Sequence, residues 1–368
     1  MTCFDIAIIG AGMAGASLAA EISPARSVLL LEAEAFPGYH STGRSAAFWS
    51  ETYGGPAIQP LTTASFDFLA TPPPEFSEHG FLAPRGGLHI GTSANTAEAE
   101  AMLRDFAASS VRIQKLEVGQ IERHLSGRRS GWDIALWEPE CCDIDVARLH
   151  QAYLRTAARN GCQLICRAGV RGLDYRDGRW LVETQAGQFE ATMLVNAAGA
   201  WADEIARLAG LPELRIQPFR RTVVQLEVSP AAPADLPLVV GLDGSFYFKP
   251  DAGGRLWLSP HDEIATPPCD AAPEELEIAI AIDRFEQVVD WQIKRIERKW
   301  AGLRSFAPDR KPVIGRDPAN AQFFWLAGQG GFGIQTAPAV ARLAADVLLE
   351  QSADPRLSPA FYAPQRFR

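Results

Sequence analysis

Short apolar runs recur along this chain, and several of them end abruptly in small residues. Asp5 to Ile9 passes straight into Gly10, Gly12 and Gly15 and then into an alanine-rich helical pattern. Val28 to Leu31 is a second apolar run and stops at Glu32. Far downstream, the stretch Met193 to Ala206 reads as a strand ending in Ala197-Ala198-Gly199, followed by Trp201 and a helix. Phe323 to Gln351 repeats the theme: an apolar strand, then Gly328, Gly330, Gly331 and Gly333, then a helix with apolar residues at Val340, Leu343, Ala344 and Val347. Apolar on both faces and bounded by turn residues, such runs predict buried parallel strands feeding helices.

Elsewhere the pattern changes. Between residues 216 and 300 the segments VVQLEV, SFYFKP and RLWLSP alternate, which predicts antiparallel strands, and a long helical pattern runs from Glu274 to Trp291. Residues 57 to 140 contain several short strand candidates and a helix from Asn95 to Ala108, with Glu98 placed three residues after Asn95 to cap it. The two kinds of pattern interleave, so an α/β fold is expected whose first domain is discontinuous. The predicted division is a Rossmann-like nucleotide-binding domain at 1–47, 142–215 and 304–368, and a second, α+β domain at 48–141 and 216–303 built on a mainly antiparallel sheet. Proline-rich stretches at Pro72 to Pro74 and Ser229 to Pro237 are read as surface connections, and no internal repeat or low-complexity tract is visible.

Composition narrows the picture. With 47% hydrophobic residues in 368, the chain can bury a large core. Its 44 acidic against 35 basic residues give a net charge of -9 with no dense basic block, which argues against a nucleic-acid surface and for a small-molecule partner. Phe4 to Ile22 imitates a signal peptide but lacks a basic leader and carries three glycines, so it is read as structure, and a cytoplasmic location is expected. No apolar run reaches the roughly 18 residues of a spanning helix. The six cysteines show no metal-ligand spacing and no metal is expected; Cys162 and Cys166 flank what reads as a buried strand, and Cys141-Cys142 form a vicinal pair without an assigned role.

The first glycine cluster is G-x-G-x-x-G in its required setting of strand, turn, helix, strand and acid. Gly10 permits the tight turn, Gly12 lets backbone approach a pyrophosphate, Gly15 lets the helix lie close on the strand, and Glu32 is placed to accept from a ribose diol. The helix start offers N–H donors and a positive dipole end to phosphate. This fingerprint does not separate NAD from FAD. A second glycine-rich turn before a helix, at Gly328 to Gly333, favours FAD, because it offers a positive end to the edge of a flavin where charge gathers on reduction.

In order along the chain stand GAGMAG with LEAE, STGRSAA, LVNAAGAW, WAGLRSFAPDRKPVIG and GQGGFGIQT. This set resembles the FAD-dependent D-amino-acid oxidase and glycine oxidase superfamily, and within it the bacterial D-amino acid dehydrogenases of the D-arginine type. The resemblance covers essentially the whole chain. It implies non-covalent FAD held by Gly10, Gly12, Met13, Ala14, Gly15, Glu32 and Ala33; by Ser41, Thr42, Arg44, Ser45, Ala46 and Ala47; by Val170, Ala198, Gly199, Trp201 and Gly302; and by Gly330, Gly331, Phe332, Gly333 and Ile334. It implies hydride transfer from substrate Cα to flavin N5, with Arg304 and Arg221 clamping the substrate carboxylate and Tyr247, Tyr53, Phe48 and Gln335 completing the catalytic set. A guanidinium fork is the side chain that meets a carboxylate bidentately. None of the six histidines falls within the motifs expected at the reacting face; His40 is expected nearer cofactor than substrate.

Two departures from the D-arginine-type pattern bear on specificity. Phe48 stands where those relatives carry histidine, and Gly86-Gly87 stand where a cation-binding pocket would carry a carboxylate. A neutral or apolar D-amino acid is therefore the expected substrate, since an unpaired buried cation is costly. A secondary amine, cyclic or N-alkylated, and an L-2-hydroxy acid remain as alternatives, and a flavin-binding subunit needing a partner is a more distant one. The electron acceptor, oxygen or a quinone-type compound, is left open. Gly54-Gly55 is read as a hinge for a lid carrying Tyr53.

Overall fold

The computed structural model describes residues 3–367. The segment Phe4 to Ile22 folds as strand β1 (Cys3–Ile9), a turn, and helix α1 (Met13–Ile22), followed by strand β2 (Val28–Leu31). β1 pairs in parallel with β2 on one side and with Gly187–Asn196 on the other; Phe323–Ala327 then pairs in parallel with Leu194–Asn196. Buried on both faces toward their carboxyl ends, these strands leave their backbone polar groups there to each other, and every one of them ends at the same edge of the sheet. The turns after Ile9, Leu31, Asn196 and Ala327 therefore come together there.

The fifth parallel strand, Gln163–Ile165, pairs with β2 and is not buried as expected: Leu164 is 39% exposed and both flanking cysteines are partly exposed. It is an edge strand, covered on one side only. All six cysteines are free, with Cys141 and Cys142 buried.

The second sheet has ten strands, antiparallel throughout its main path except where Leu238–Gly241 runs parallel to Gly87–Gly91. Its centre is a pair of long strands, Gln217–Ser229 and Gln292–Phe306, paired from Gln217 opposite Phe306 to Ser229 opposite Gln292 with register shifts at Gln225/Leu226 and Glu227/Val228. Side chains alternate between faces. One face carries Val224, Leu226, Phe248, Leu256 and Leu258, packed under Ile278, Ala281, Phe285 and Val288 of helix Glu275–Val288. The other face carries Arg221, Tyr247 and Arg304. Gln292–Phe306 runs through the expected boundary at 303, and Ser305-Phe306 also pair with Gln329-Gly330.

Two element ends differ from the expected ones. The helix expected to reach Trp291 stops at Val288; Trp291 is buried separately, its indole N–H donating to the Ser126 carbonyl at 3.0 Å. The helix near Asn95 spans Thr96–Phe106 after a short 3-10 turn, and Thr92 with Asn95 closes that turn while Glu98 does not cap it. A hydroxyl one turn upstream outcompeted the acid.

Candidate active site

At the carboxyl edge of the parallel strands lies a cavity of about 400 Å³. Gly10, Gly12, Met13, Ala14, Glu32, Ala33, Ser41, Thr42, Ser45, Val170, Ala198, Gly199, Trp201, Gly330, Gly331, Gly333 and Ile334 line it, all anticipated from sequence. The fold adds Glu34, Gly38, Tyr39, His40, Gly169 and Glu204, none of them in the expected cofactor set, although Glu34 ends the LEAE motif and His40 was expected near cofactor. His40 bonds Glu34 at 2.9 Å, and its ring lies 4.7 Å from that of Trp201. A long cavity at the carboxyl edge, with glycine at each close approach, is the geometry a dinucleotide needs.

Several expected cofactor contacts have other employment. Glu32 accepts from Ala11 N at 3.0 Å and from Glu34 N at 2.9 Å, so its carboxylate braces the turn it faces. Thr42 Oγ1 accepts from Met13 N at 3.0 Å, and Ser41 donates to the Leu303 carbonyl at 2.8 Å. Fewer helix-start donors are therefore free than the motif suggests. Arg44 does not line the cavity: its guanidinium bonds Asp270 and the carbonyls of Ala271 and Ala301. Gly15 and Gly302 act by absence of a side chain. A Cβ on Gly15 would lie 1.9 Å from the Gly10 carbonyl oxygen, and one on Gly302 would lie 3.1 Å from Arg304 Nη1. Phe332 is buried against Ile58 and Phe306, behind the wall. Ala46 and Ala47 face a second, smaller cavity.

That second cavity, of about 20 Å³, shares Ser45, Arg304, Gly331 and Ile334 with the large one. Phe48, Tyr53, Arg221, Tyr247, Arg304 and Gln335, the six residues expected at the reacting centre, all line it. The register explains how. Arg221 lies opposite Gly302 and Phe219 opposite Arg304, so the two arginines are diagonal neighbours on one face, and Tyr247 joins them through its pairing with Ser259. Gly302, lacking a side chain, leaves the space between them.

The charges here are uneven. Arg221 is 2% exposed; its Nε donates to the Asp262 carbonyl at 2.8 Å, and it reaches Glu263 at 3.3 Å, an acid already gripped by Arg310 at 2.8 and 2.9 Å. Arg304 is 6% exposed and, among the described residues, bonds only the Leu303 carbonyl at 3.2 Å. Burial and the like charge of Arg221 pull its guanidinium below the usual range. Burial likewise raises the Tyr247 hydroxyl, against the pull of Arg221 and Arg304, so the phenol keeps its proton. A buried guanidinium without a carboxylate, beside a second guanidinium and two phenols, is a receptor for an anion.

Gln335 differs from its expected role. Its amide accepts from Ser50 N at 3.2 Å and donates to the carbonyls of Ser50 and Tyr53 at 3.2 Å and to Thr62 Oγ1 at 2.9 Å. With all four contacts filled, it holds the turn that carries Tyr53. The glycine pair does not sit in a loose hinge: a Cβ on Gly54 would lie 2.8 Å from the Phe332 ring, and Gly55 N bonds the Thr52 carbonyl at 3.1 Å.

His261, which no motif includes, packs beside the two tyrosines of this cavity. Its ring lies 5.6 Å from that of Tyr247 and 6.2 Å from that of Tyr53. Nδ1 faces the Gly244 carbonyl, which only accepts, so Nδ1 carries the proton. Burial, then the charge of Arg221, pushes its pKa down from 6.5 to about 3. The unfolded chain binds a proton that the folded imidazole refuses, so this group removes stability as pH falls from 6.5 toward about 3. His261→Asn is therefore expected to lose less melting temperature than the parent between about pH 7 and about pH 5. Equal losses in thermal unfolding would place the acid sensitivity elsewhere.

Comparison with known proteins agrees with this geometry. The model of the FAD dependent oxidoreductase family matches residues 5–347, and the chain belongs to that family, with FAD as its cofactor. It is 26% identical over 379 residues to the bifunctional protein ThiO/ThiG of Trichormus variabilis, covering 98% of this chain and 55% of that protein. It thus spans about half the length of that curated relative. Among solved structures, L-proline dehydrogenase from P. horikoshii superposes with a TM-score of 0.86 at 22% identity, covering 99% of this chain and 97% of that one. Glycine oxidase from Geobacillus kaustophilus gives 0.86 at 22%, covering 100% and 99%. At such identity these two speak for the fold. Among the described residues no helix is long and apolar enough to cross a membrane.

Proposed function

We propose that the chain oxidises the Cα–N bond of a small, neutral D-amino acid to an imino acid, which water converts to a 2-oxo acid and ammonia. The observation that carries this reading is the placing of Arg221 and Arg304 as diagonal neighbours on one sheet face, beside Tyr53 and Tyr247, in a cavity that shares Ser45, Arg304, Gly331 and Ile334 with the larger one. On this reading residues 1–47, 142–215 and 304–368 serve the cofactor, and 48–141 and 216–303 serve the substrate.

Bound FAD supplies the acceptor for the hydride and for the electron pair it carries. The protein's part is to hold and to exclude. Arg304 takes the carboxylate, Arg221 supports it, and the hydroxyls of Tyr53 and Tyr247 donate to its remaining lone pairs. Fixing the carboxylate fixes the direction of the Cα–H bond, and orientation of this kind supplies several kcal/mol. As that bond breaks, the nitrogen lone pair forms the C=N bond, so the amine must react unprotonated and its proton leaves to solvent. The rings of Phe48 and Tyr53, 5.0 Å apart, and of Phe48 and Tyr247, 6.0 Å apart, close one side against water.

The same wall supports the choice of a neutral side chain. Phe48 offers no charge, and a Cβ on Gly87 would lie 3.5 Å from Glu138 Cβ, whose carboxylate is already filled by donors from the chain. Among the described residues that line this cavity none is an acid, so a cationic side chain would go unpaired there. The aromatic wall also suits an N-alkylated or cyclic amine, which is the second reading. Of the two solved structures in the comparison, one names a cyclic secondary amine, L-proline, and the other the achiral primary amine glycine.

An anaerobic panel decides between them. Rapid mixing with D-alanine, glycine, L-proline, N-methylglycine, D-arginine and L-lactate should bleach the flavin with the small D-amino acid at least about tenfold more efficiently than with D-arginine. Bleaching by L-lactate alone, or by nothing, would overturn the proposal. Phe48→Ala, which removes the ring from the wall, should shift preference toward bulkier side chains by about tenfold in kcat/KM on the same panel. Admitting air afterwards distinguishes an oxidase from an enzyme that needs a quinone-type acceptor.

A further inference from the structure

The turn from Ser50 to Tyr53 delivers the Tyr53 ring to the substrate cavity, and it is held from two sides. Gln335 holds it from one side through its contacts with Ser50 and Tyr53. From the other side comes Glu138, the last residue of the strand Ile134–Glu138, which is 1% exposed and lines neither cavity. One carboxylate oxygen, Oε1, accepts from Glu51 N at 2.7 Å and Thr52 N at 3.4 Å. The other, Oε2, accepts from Ser50 Oγ at 2.9 Å, Thr52 Oγ1 at 2.7 Å and His89 Nε2 at 3.2 Å. Five donors from two segments thus converge on one buried carboxylate.

Burial alone would raise this carboxyl group, but the hydrogen bond and charge of His89 and the hydroxyls of Thr52 and Ser50 together hold it below the usual range. It therefore stays an acceptor. Backbone amides cannot rotate away, so Glu138 sets the geometry of Glu51 and Thr52 through their N–H groups and adds a hold on the Ser50 hydroxyl, directly before Tyr53. Tyr53 has little slack of its own: its hydroxyl lies where a Cβ on Gly331 would be 2.3 Å away, and its ring packs on Phe48 and Phe332 at 5.0 and 5.9 Å. A shift of the turn moves the phenol off the carboxylate site.

We propose that Glu138, backed by His89, is a positioning residue that sets substrate affinity by fixing the Ser50 to Tyr53 turn, without touching substrate or cofactor. This rests on the proposed role of Tyr53 as a carboxylate contact. A polar residue at the end of a strand is thereby assigned to the reaction, although no motif includes it.

A double-mutant cycle in the FAD-loaded enzyme tests it. Glu138→Gln should raise KM about tenfold with kcat within about threefold, and Tyr53→Phe should raise KM by a similar factor. Together they should cost little more than Tyr53→Phe alone, because the first acts through the second. The FAD dissociation constant and flavin spectrum should stay unchanged. Independent effects, multiplying to about a hundredfold, or loss of FAD from Glu138→Gln, would overturn the inference. If Tyr53→Phe itself leaves KM unchanged, the role of Tyr53 fails and the coupling with it. Should Glu138→Gln not fold, Thr52→Val removes one donor and keeps the carboxylate; a rise in KM of about threefold that vanishes in the Tyr53→Phe background supports the proposal, and an unaltered KM refutes it.

Discussion

Replacing Arg304 with alanine or methionine is expected to lower kcat/KM at least about a hundredfold, a loss of roughly 3 kcal/mol. Arg304 is the one guanidinium of the pair that no acid among the described residues pairs with: Arg221 leans on the Asp262 carbonyl and Glu263, whereas Arg304 bonds a neighbouring carbonyl alone among them. A substrate carboxylate would supply its counter-charge in a site shielded from water, where such a bond is worth most. The unliganded protein should behave in the opposite way. Holding two buried like charges together is unfavourable, so Arg304→Met should keep or raise the melting temperature of the protein without substrate. Arg304→Lys keeps a charge but not the fork, and should recover only part of the activity. Near-normal turnover of a carboxylate substrate by Arg304→Met would end the assignment; a large fall in melting temperature would show a structural role instead.

The cofactor half was legible because its requirements are local. A glycine at each close approach and apolar runs ending at one edge leave marks that a single segment carries, and Gly10, Gly12 and Glu32 line the cavity as their motif required. The arginine pair was legible only one residue at a time. What makes it a site is the register, which sets Arg221 opposite Gly302 and so diagonal to Arg304, and register between strands about 80 residues apart is not written in either strand. Arg44 shows the reverse error. Its motif places it beside the cofactor, but Asp270 and two carbonyls from distant segments take its guanidinium. His261 and Glu138 were invisible for the same reason: each matters through what a remote loop brings to it. Helix ends shifted where a better local cap, at Thr92, or a buried tryptophan, Trp291, prevailed over periodicity.

Two glycines of one motif should fail in different ways when each is changed to alanine. Gly12 has an ordinary φ of -69° and a place on the cavity wall, and a Cβ there would meet only Thr42 Oγ1, at 3.3 Å. Gly12→Ala should therefore leave the melting temperature of the FAD-free protein almost unchanged. On the proposed cofactor placement its methyl group would stand where the pyrophosphate approaches, so FAD affinity should fall by at least about thirtyfold, near 2 kcal/mol. Gly15 lies off the wall, and its Cβ would sit 1.9 Å from the Gly10 carbonyl oxygen and 3.3 Å from Ile8 Cγ2. A backbone carbonyl cannot move aside, so α1 must lift from β1. Gly15→Ala should lower the stability of the FAD-free protein by about 3 kcal/mol or more, and FAD binding would fall as a consequence. Thermal unfolding and flavin titration of both variants separate the two effects. Equal stability loss in both would mean that Gly12 is as structural as Gly15, and that the pyrophosphate approaches the turn elsewhere.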